Sequence, residues 1–471
     1  MTSVNEDAIG VTELQRLEEA MANLTQCVRE NATRTDPEGD AMSFGAAEKA
    51  VLEQVAAVSS AAMAATLSAW QPTAAEVEHD GSTWRRMNPT SRGMYFGLHG
   101  EIVIDRYLYR EAGVRNGPTI VPLELRAGLV DGLWTPRAAE AVGHLAQALP
   151  SRDAEEIAAT LGVLPYSRSS LHRCAESLGS HWGDIAHEAE ETLVQQMPIP
   201  DEAATLSVSV DRVSLPMEEP LLDDDGKRID HKIHRVFRMA YCGVLTLHDK
   251  EGKPLGSNRY GRMPRGGSEG MEDSLGADVD ALLKRRPDLS TVGLADGAVE
   301  MQHMLDRILA GHAPKAVAID KYHLLEKLAD AVVSTGRDGP GYLRSWKADL
   351  DADDRAVEHI ETRLRTWSLD YDDELPKPLY DALTYIDNNR ERMRYASMRK
   401  AGLPVGSGHV EATCKTIVSV RMKRAGARWK ERSGQAILNL RSLACSHRWR
   451  PAMDITLGTY VHDVKSVREA A

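Results

Sequence analysis

TLSVSVD, residues 205–211, places Leu206, Val208 and Val210 on one side of a strand and Thr205, Ser207, Ser209 and Asp211 on the other. The reading is a strand that ends in an acid on its polar face. Farther along, TVGLAD (291–296) precedes GAVEMQHMLDRIL, a short apolar strand running into a helix with Asp296 at the junction. By strict alternation Asp296 shares a side with Val292 and Leu294, though alternation relaxes at strand ends. Between these stretches, RVFRMAYCGVLTL (235–247) and residues 255–263 supply a second and a third strand, and 277–285 reads as a helix. After Asp296, KAVAI (315–319) is another strand; it ends in Asp320 and leads into a helix over 321–333. Five strands are available, so the expected class is multidomain α/β, a mixed sheet flanked by helices. Taken singly, each Asp suits a turn or a helix cap better than a catalyst.

A third acid stands in a different setting. The stretch GSGHVEATCKTIVSVRMKRAGARW (406–429) carries Glu411 alone among Lys415, Arg421, Lys423, Arg424 and Arg428. From 391 to 450 there are fourteen Lys or Arg against three acids, in a chain whose net charge is −13. Such a segment suits a polyanion. The Gly-Ser-Gly turn can open a helix, which projects the Glu411 carboxylate from its first turn, where the helix dipole favours the ionised form. A carboxylate fixed beside bound phosphate needs a cation between them, as in nucleases that use metal ions. An exposed basic helix with one incidental Glu is the alternative for this stretch alone.

Strand-end Asp, further strands, strand-end Asp, a long excursion and then Glu on a helix is the order of RNase H-like enzymes of the DDE type. The sequence resembles the ISKra-type group of bacterial insertion-sequence transposases, which share a phrase GSGxVExxxK followed by RMK and GxRW. Here these read Gly406-Ser407-Gly408-His409-Val410-Glu411, Lys415, Arg421-Met422-Lys423 and Gly426-Ala427-Arg428-Trp429. Asp320-Lys321-Tyr322-His323 is similar to that group's Asp-x-Tyr-His segment, and LADG around Asp296 also fits. The resemblance covers about 200–450 well and the preceding hundred residues loosely. It implies Asp211, Asp296 and Glu411 as catalytic, metal-binding carboxylates, with Asp211 bridging two Mg²⁺ ions (Mn²⁺ as a substitute) about 4 Å apart. Lys415 is placed to hold a phosphate; Arg421, Lys423, Arg424 and Arg428 extend that charge along DNA. Trp429 is either a wedge into unpaired DNA or a packing residue. Asp320 and His323 border the site or serve as a cap and a packed His. Relatives often carry a Cys-rich, zinc-ribbon-like element, but the corresponding IVIDRYLYREAGVRNGPTIVPLE has no Cys, so no zinc is expected.

The five cysteines, Cys27, Cys174, Cys242, Cys414 and Cys445, have no paired spacing and read as buried thiols of a reducing cytoplasm. No apolar run is read as approaching the roughly 20 residues of a membrane span, and the start MTSVNEDAIG is not a signal peptide. The expected location is the bacterial cytoplasm, associated with the nucleoid. Residues 1–80 hold fourteen acids and four bases, so charge is segregated between the two ends.

The expected organisation is an acidic helical region over 1–90, with helices at 11–29 and 46–70 forming a hairpin or a dimer contact, then a small β element over 91–134. A helix-turn-helix follows over 135–198. Thr135-Pro136 opens one helix. Asp153 and Glu156 form a capping box on the next, whose Ala154, Ile157, Ala158 and Leu161 share a face. After the turn VLPYS, a second helix turns Leu171, Cys174, Leu178 and Trp182 inward and leaves Arg168, His172 and Arg173 outside, which suits a major groove; a plain helical bundle fits the same pattern. The first part of the core spans 199–335. A helical insertion occupies 336–400, where Trp367, Tyr371, Tyr380 and Tyr385 either stack on bases or pack. Residues 401–471 complete the core. The function expected is binding of transposon-end and target DNA, as a homodimer or larger assembly, with metal-dependent cleavage and strand transfer. The alternatives are an inactive, domesticated DNA-binding regulator and an RNase H-like nuclease without strand transfer.

Overall fold

A computed structural model describes residues 8–33, 41–223, 225, 227–372 and 374–467. The chain forms two compact units, one from 1–182 with 450–471 and one from 183–449.

In the first unit, α1 (Ala8–Ala32) packs on α2 (Ala41–Ala69). Strands β1 (Glu76–His79), β2 (Ser82–Arg86), β3 (Ser91–Gly97), β4 (Gly100–Arg106), β5 (Tyr109–Glu111) and β6 (Thr119–Ile120) follow. The β structure thus starts inside the stretch read as helical to residue 90. EVEHDGSTWRR is a two-strand hairpin turned by Asp80-Gly81, both with positive φ, a local signal the helical reading passed over. Helices α3 (Pro122–Ala127), α4 (Pro136–Ala148), α5 (Ser151–Thr160) and the first half, 168–182, of α6 (Arg168–Gln196) complete the run, with Thr135 and Pro136 at the expected start of α4.

The capping box is absent. Pro150 is the N-cap of α5 and makes no side-chain cap bond. Nor is the apolar face of α5 fully covered: Ala154 and Ala158 are buried, but Ile157 and Leu161 are 39% and 67% exposed. Residues 161–167 join α5 to α6, in place of a tight turn. They are tethered to the β3–β4 hairpin: Leu164 N–H donates to Leu98, Tyr166 O–H donates to the Gly97 carbonyl, and its ring stacks on Phe96 at 4.3 Å. On α6, Leu171, Cys174, Leu178 and Trp182 are all buried, as their spacing requires.

The second unit is built on a sheet of five strands in the order β11-β10-β7-β8-β9. These are β7 (Thr205–Leu222), β8 (Arg228–His248), β9 (Pro254–Arg262), β10 (Ser290–Ala295) and β11 (Ala316–Ile319). The first three in chain order are antiparallel neighbours, whereas β10 and β11 run parallel to β7. One face packs Leu206, Val208 and Val210 against α7 (Gly267–Arg285) and α8 (Val299–Ile308). The Ser side of β7 is buried too, with Ser207 and Ser209 each 2% exposed, so alternation here separates two buried faces.

After α9 (Lys321–Ser334) come α10 (Gly339–Ala352), α11 (Ala356–Ser368), α12 (Lys377–Asn389), a 3₁₀ turn (Arg390–Arg392) and α13 (Tyr395–Lys400). Their core joins Leu324, Leu328, Trp346, Leu364, Trp367 and Ile386. Then α14 (Gly408–Thr413) continues through a π turn (Cys414–Ser419) into α15 (Val420–Met422), and α16 (Glu431–Cys445) comes next. The last elements, α17 (Trp449–Gly458) and β12 (Lys465–Ser466), lead into the first unit, where β12 pairs with β1. The stretch 450–471 therefore does not complete the core: Arg126 holds the Val464 carbonyl, and Ser466 lies opposite Val77.

Candidate active site

Three aspartates occupy one edge of the sheet because the parallel strands are in register. Ser209 is opposite Leu294 and Ala295 is opposite Ile319. Carrying that register on by two residues from Leu294 and by one from Ile319 aligns Asp211, Asp296 and Asp320. This is the carboxyl edge of parallel strands, where α/β sheets place their ligands.

Asp211 does not end its strand, as the sequence suggested. Val213, Leu215 and Met217 keep the alternation going, and β7 runs on with β8 as a two-stranded arm to Leu222. What ends near Asp211 is its neighbour β10. Pro216 is tolerated beyond that point because β7 has become an edge strand there, bridged at Met217 by Trp429.

Asp211 accepts hydrogen bonds from the Arg212 backbone N–H at 2.7 Å and the Cys414 thiol at 3.4 Å. Burial pushes its carboxyl above the usual range and the charge of Asp296 adds to this, against the opposing Arg212, Cys414 and His323. Asp296 caps the turn into α8, accepting the Ala298 N–H at 2.9 Å. Tyr385 donates its hydroxyl to the Asp296 carbonyl at 2.6 Å, and its ring lies where a Cβ on Gly297 would fall. Gly297 has φ +90°, so the residue after Asp296 is glycine for two reasons.

The third position, Asp320, is 2% exposed. It caps α9 by accepting the Tyr322 N–H at 2.6 Å, and it accepts both the backbone N–H of Ser407, at 2.6 Å, and the Ser407 hydroxyl. Burial alone would raise this carboxyl; His323 and the Ser407 donors outweigh it and hold the group below the usual range. Asp320 in turn lifts His323 to about 9. Both residues thus stand at the border of the Asp211–Asp296 pair.

Glu411 reaches the same edge on a helix anchored on each side of it. Ser407, four residues before, is held by Asp320, and Cys414, three residues after, lies on Asp211 and against the Cys242 thiol. The Glu411 side chain itself is exposed. Among the described residues no three His, Cys, Asp or Glu side chains are gathered at metal-ligand spacing. Asp211 and Asp296 are therefore the electrostatic pair, and Glu411 is brought to their edge without closing on them.

The basic residues divide sharply. Lys415, Lys423, Arg424 and Arg428 are exposed. Arg421 is 7% exposed, with its guanidinium 5.1 Å over the Trp429 ring, which corrects its reading as a DNA contact. The π turn is the reason. It takes up one extra residue, so the helix beyond it is rotated back by about 100° and Arg421 points roughly opposite Glu411. Trp429 is not a wedge either: it is buried, donates its indole N–H to Met422 at 2.9 Å and exchanges backbone hydrogen bonds with Pro216 and Glu218. In the first unit, Arg168 and Arg173 are exposed on the first turns of α6, and His172 lies 3.6 Å from Glu176. Of the four aromatics proposed to stack on bases, Trp367 is buried, Tyr371 and Tyr385 are half-buried, and Tyr380 is 58% exposed.

Ser407 and Cys414 escaped the sequence reading as site residues, although each is spaced a turn from Glu411. Compared with protein-family models, with curated proteins and with solved structures, the chain gives no match.

Proposed function

We propose that this chain is a DDE-type DNA transposase, with an RNase H-like core that cleaves phosphodiester bonds and joins the freed 3′ end to target DNA. The observation that carries the reading is the carboxyl edge of the sheet: Asp211 and Asp296 side by side on parallel strands, with the Glu411 helix fastened at Ser407 and Cys414. Two carboxylates whose charges oppose each other in a half-buried setting fit a hard cation, and Mg²⁺ needs only oxygen donors. Asp211 and Asp296 would hold it, with Glu411 as the third donor from the helix. When bound, such ions lower the pKa of an attacking water and neutralise a departing 3′ oxygen.

The chain's own groups do the rest. Lys415, one turn beyond Glu411, and Lys423, Arg424 and Arg428 offer positive charge to the phosphates on either side of the scissile bond. Asp320 and Ser407 orient the Glu411 helix. A 3′-hydroxyl in the position of the water turns hydrolysis into strand transfer.

Glu411→Gln tests this directly. The variant keeps the shape of the side chain and loses one charge, so DNA binding should persist in a gel-shift assay while Mg²⁺-dependent nicking disappears. Unchanged nicking would remove Glu411 from the site, and equal loss of binding and nicking in a folded variant would make it structural.

A further inference from the structure

Outside the acid site, the first unit offers an apolar helix and the second a polar cavity. Phe44–Ala69 of α2 is long and apolar enough, by length and composition, to cross a bilayer, a run that alanine and serine mask in the sequence. The cavity carries more chemistry. Its volume is about 390 Å³, it begins at Gly297, the residue after Asp296, and its walls come from α8, α9 and α12.

Helical spacing brings the polar groups to it. His323 and Lys327 are one turn apart on α9 and share a face. His323 turns its Nδ1 to Asp320 at 3.6 Å, and its charge acts on both Asp211 and Asp296. Lys327 is next along that face and lines the cavity, with its ammonium 4.9 Å from the centre of the Tyr385 ring and in no ion pair among the described residues. Thr384 and Asn388, also one turn apart, stand exposed at the cavity on α12. Two acids reach the same walls, but Asp306 is 3.7 Å from Arg392 and Asp381 is 2.7 Å from Lys377. The charge left over is therefore positive, and it adjoins the acid pair.

Gln302 on α8 gives a second, independent sign of a polar ligand. It lines the cavity and is 2% exposed. Arg392 donates to its Oε1 at 2.6 Å, which fixes the amide, and Nε2 is left buried without an acceptor among the described residues. A dry donor in that state is costly. A ligand carbonyl entering the cavity would supply what it lacks.

We propose that this cavity receives one unpaired nucleotide of the DNA strand being cut, the one next to the scissile phosphate, with Lys327 on its phosphate and Gln302 and Asn388 on the edge of its base. Side-chain amides suit that edge because each offers both a donor and an acceptor, as bases do. A duplex does not fit a space of this size, so the base must leave its stack to enter. The assignment rests on the nuclease reading of Asp211, Asp296 and Glu411, and it adds where the strand runs beyond them.

The test uses the full chain and a DNA duplex that the wild type nicks in Mg²⁺, with the nick mapped. 2-Aminopurine at the base beside the nick should brighten on binding before Mg²⁺ is added, whereas the same probe a helical turn away should not. Lys327→Met with Asn388→Ala keeps the stem over Tyr385, so the unfolding midpoint should hold. This variant should nick the paired duplex at least about 10-fold more slowly, and a mismatch at the base beside the nick, which makes extrusion easier, should recover most of the loss. A merely structural role would slow both substrates alike. Should that variant misfold, Thr384→Trp fills the cavity from an exposed position and should lose rate and fluorescence together. A silent probe, variants as fast as the wild type, or equal slowing on paired and mismatched DNA would overturn the cavity assignment and leave the acid site standing. A wild type that does not nick in Mg²⁺ would remove the nuclease reading and this assignment with it.

Discussion

Asp320→Ala is the most searching change in the second unit, because one buried carboxylate holds both the start of α9 and the turn before Glu411. The substitution removes the cap on Tyr322, worth about 1 kcal/mol. It also strands the N–H and O–H of Ser407, which is itself 2% exposed; hydrogen bonds to a buried charge contribute about 1.5–3 kcal/mol each, and dry donors carry a desolvation cost. The loss should total about 4 kcal/mol, or about 8 °C in Tm at roughly 2 °C per kcal/mol for a unit of this size. Ser407→Ala, which keeps the backbone donor, should cost only about 1 kcal/mol. A second readout comes from His323, which Asp320 lifts to about 9. A raised His stabilises fully below its unfolded value of about 6.5, and that contribution is lost as pH rises through about 9. Wild-type stability should therefore fall across that window and the fall should flatten in Asp320→Ala. Denaturant unfolding from pH 6 to 10 checks both. A loss under about 1 kcal/mol with an unchanged pH slope would refute the idea that Asp320 fastens this turn.

Three further outcomes are expected. Replacing Lys415, Lys423 and Arg428 by Gln should make the slope of log affinity against log salt shallower by about 0.9 for each phosphate that is no longer neutralised, whereas Arg421→Gln should lower stability and leave the slope alone. Arg168→Ala with Arg173→Ala should reduce the preference for transposon-end over random DNA in competition binding and spare non-specific nicking; an unchanged ratio would place end recognition elsewhere. Glu190, buried beside Asp278, is raised to about 7, chiefly by burial; its contribution is present below about 4.5 and fades as pH rises through about 7, and Glu190→Gln should remove its share of that slope, seen as a shallower fall of the unfolding midpoint between those values.

The sheet was legible because its strands carry strong local signals: β-branched runs for β7, β8, β10 and β11, each closed by an acid, a glycine or a turn. The position of Asp296 was the instructive case. Alternation puts it on the side of Val292 and Leu294, whereas Asp211 is on the polar side of β7. Pairing resolves this, since Leu294 is opposite Ser209 and the Ser side is itself buried. A strand read alone shows which residues share a side, but which side faces its neighbour's acid depends on register, and register is set by non-local packing. The same limit explains Arg421 and Trp429. A single residue inserted by a π turn has no composition, yet it turns one guanidinium away from the exposed basic face and toward a Trp ring.

The change of strand direction within the second sheet also accounts for why the acids stand where they do. β7 has an antiparallel partner that continues for its whole length and a parallel partner that stops after Ala295. The step left at that point, which follows from the unequal lengths of the two partners, opens one edge of β7 near Asp211. The Glu411 helix lies against this opening, with Cys414 on Asp211 and Ser407 on Asp320. Since the helix is held at those two points, a change at either should act on Glu411 without touching it. A Cys414→Ser change keeps a donor for Asp211 and should preserve cleavage, whereas Cys414→Val removes it and leaves a buried carboxylate with one donor fewer. If the two variants nicked DNA equally well, the thiol would be packing alone, and the Asp211–Glu411 relation would rest on the backbone of the helix.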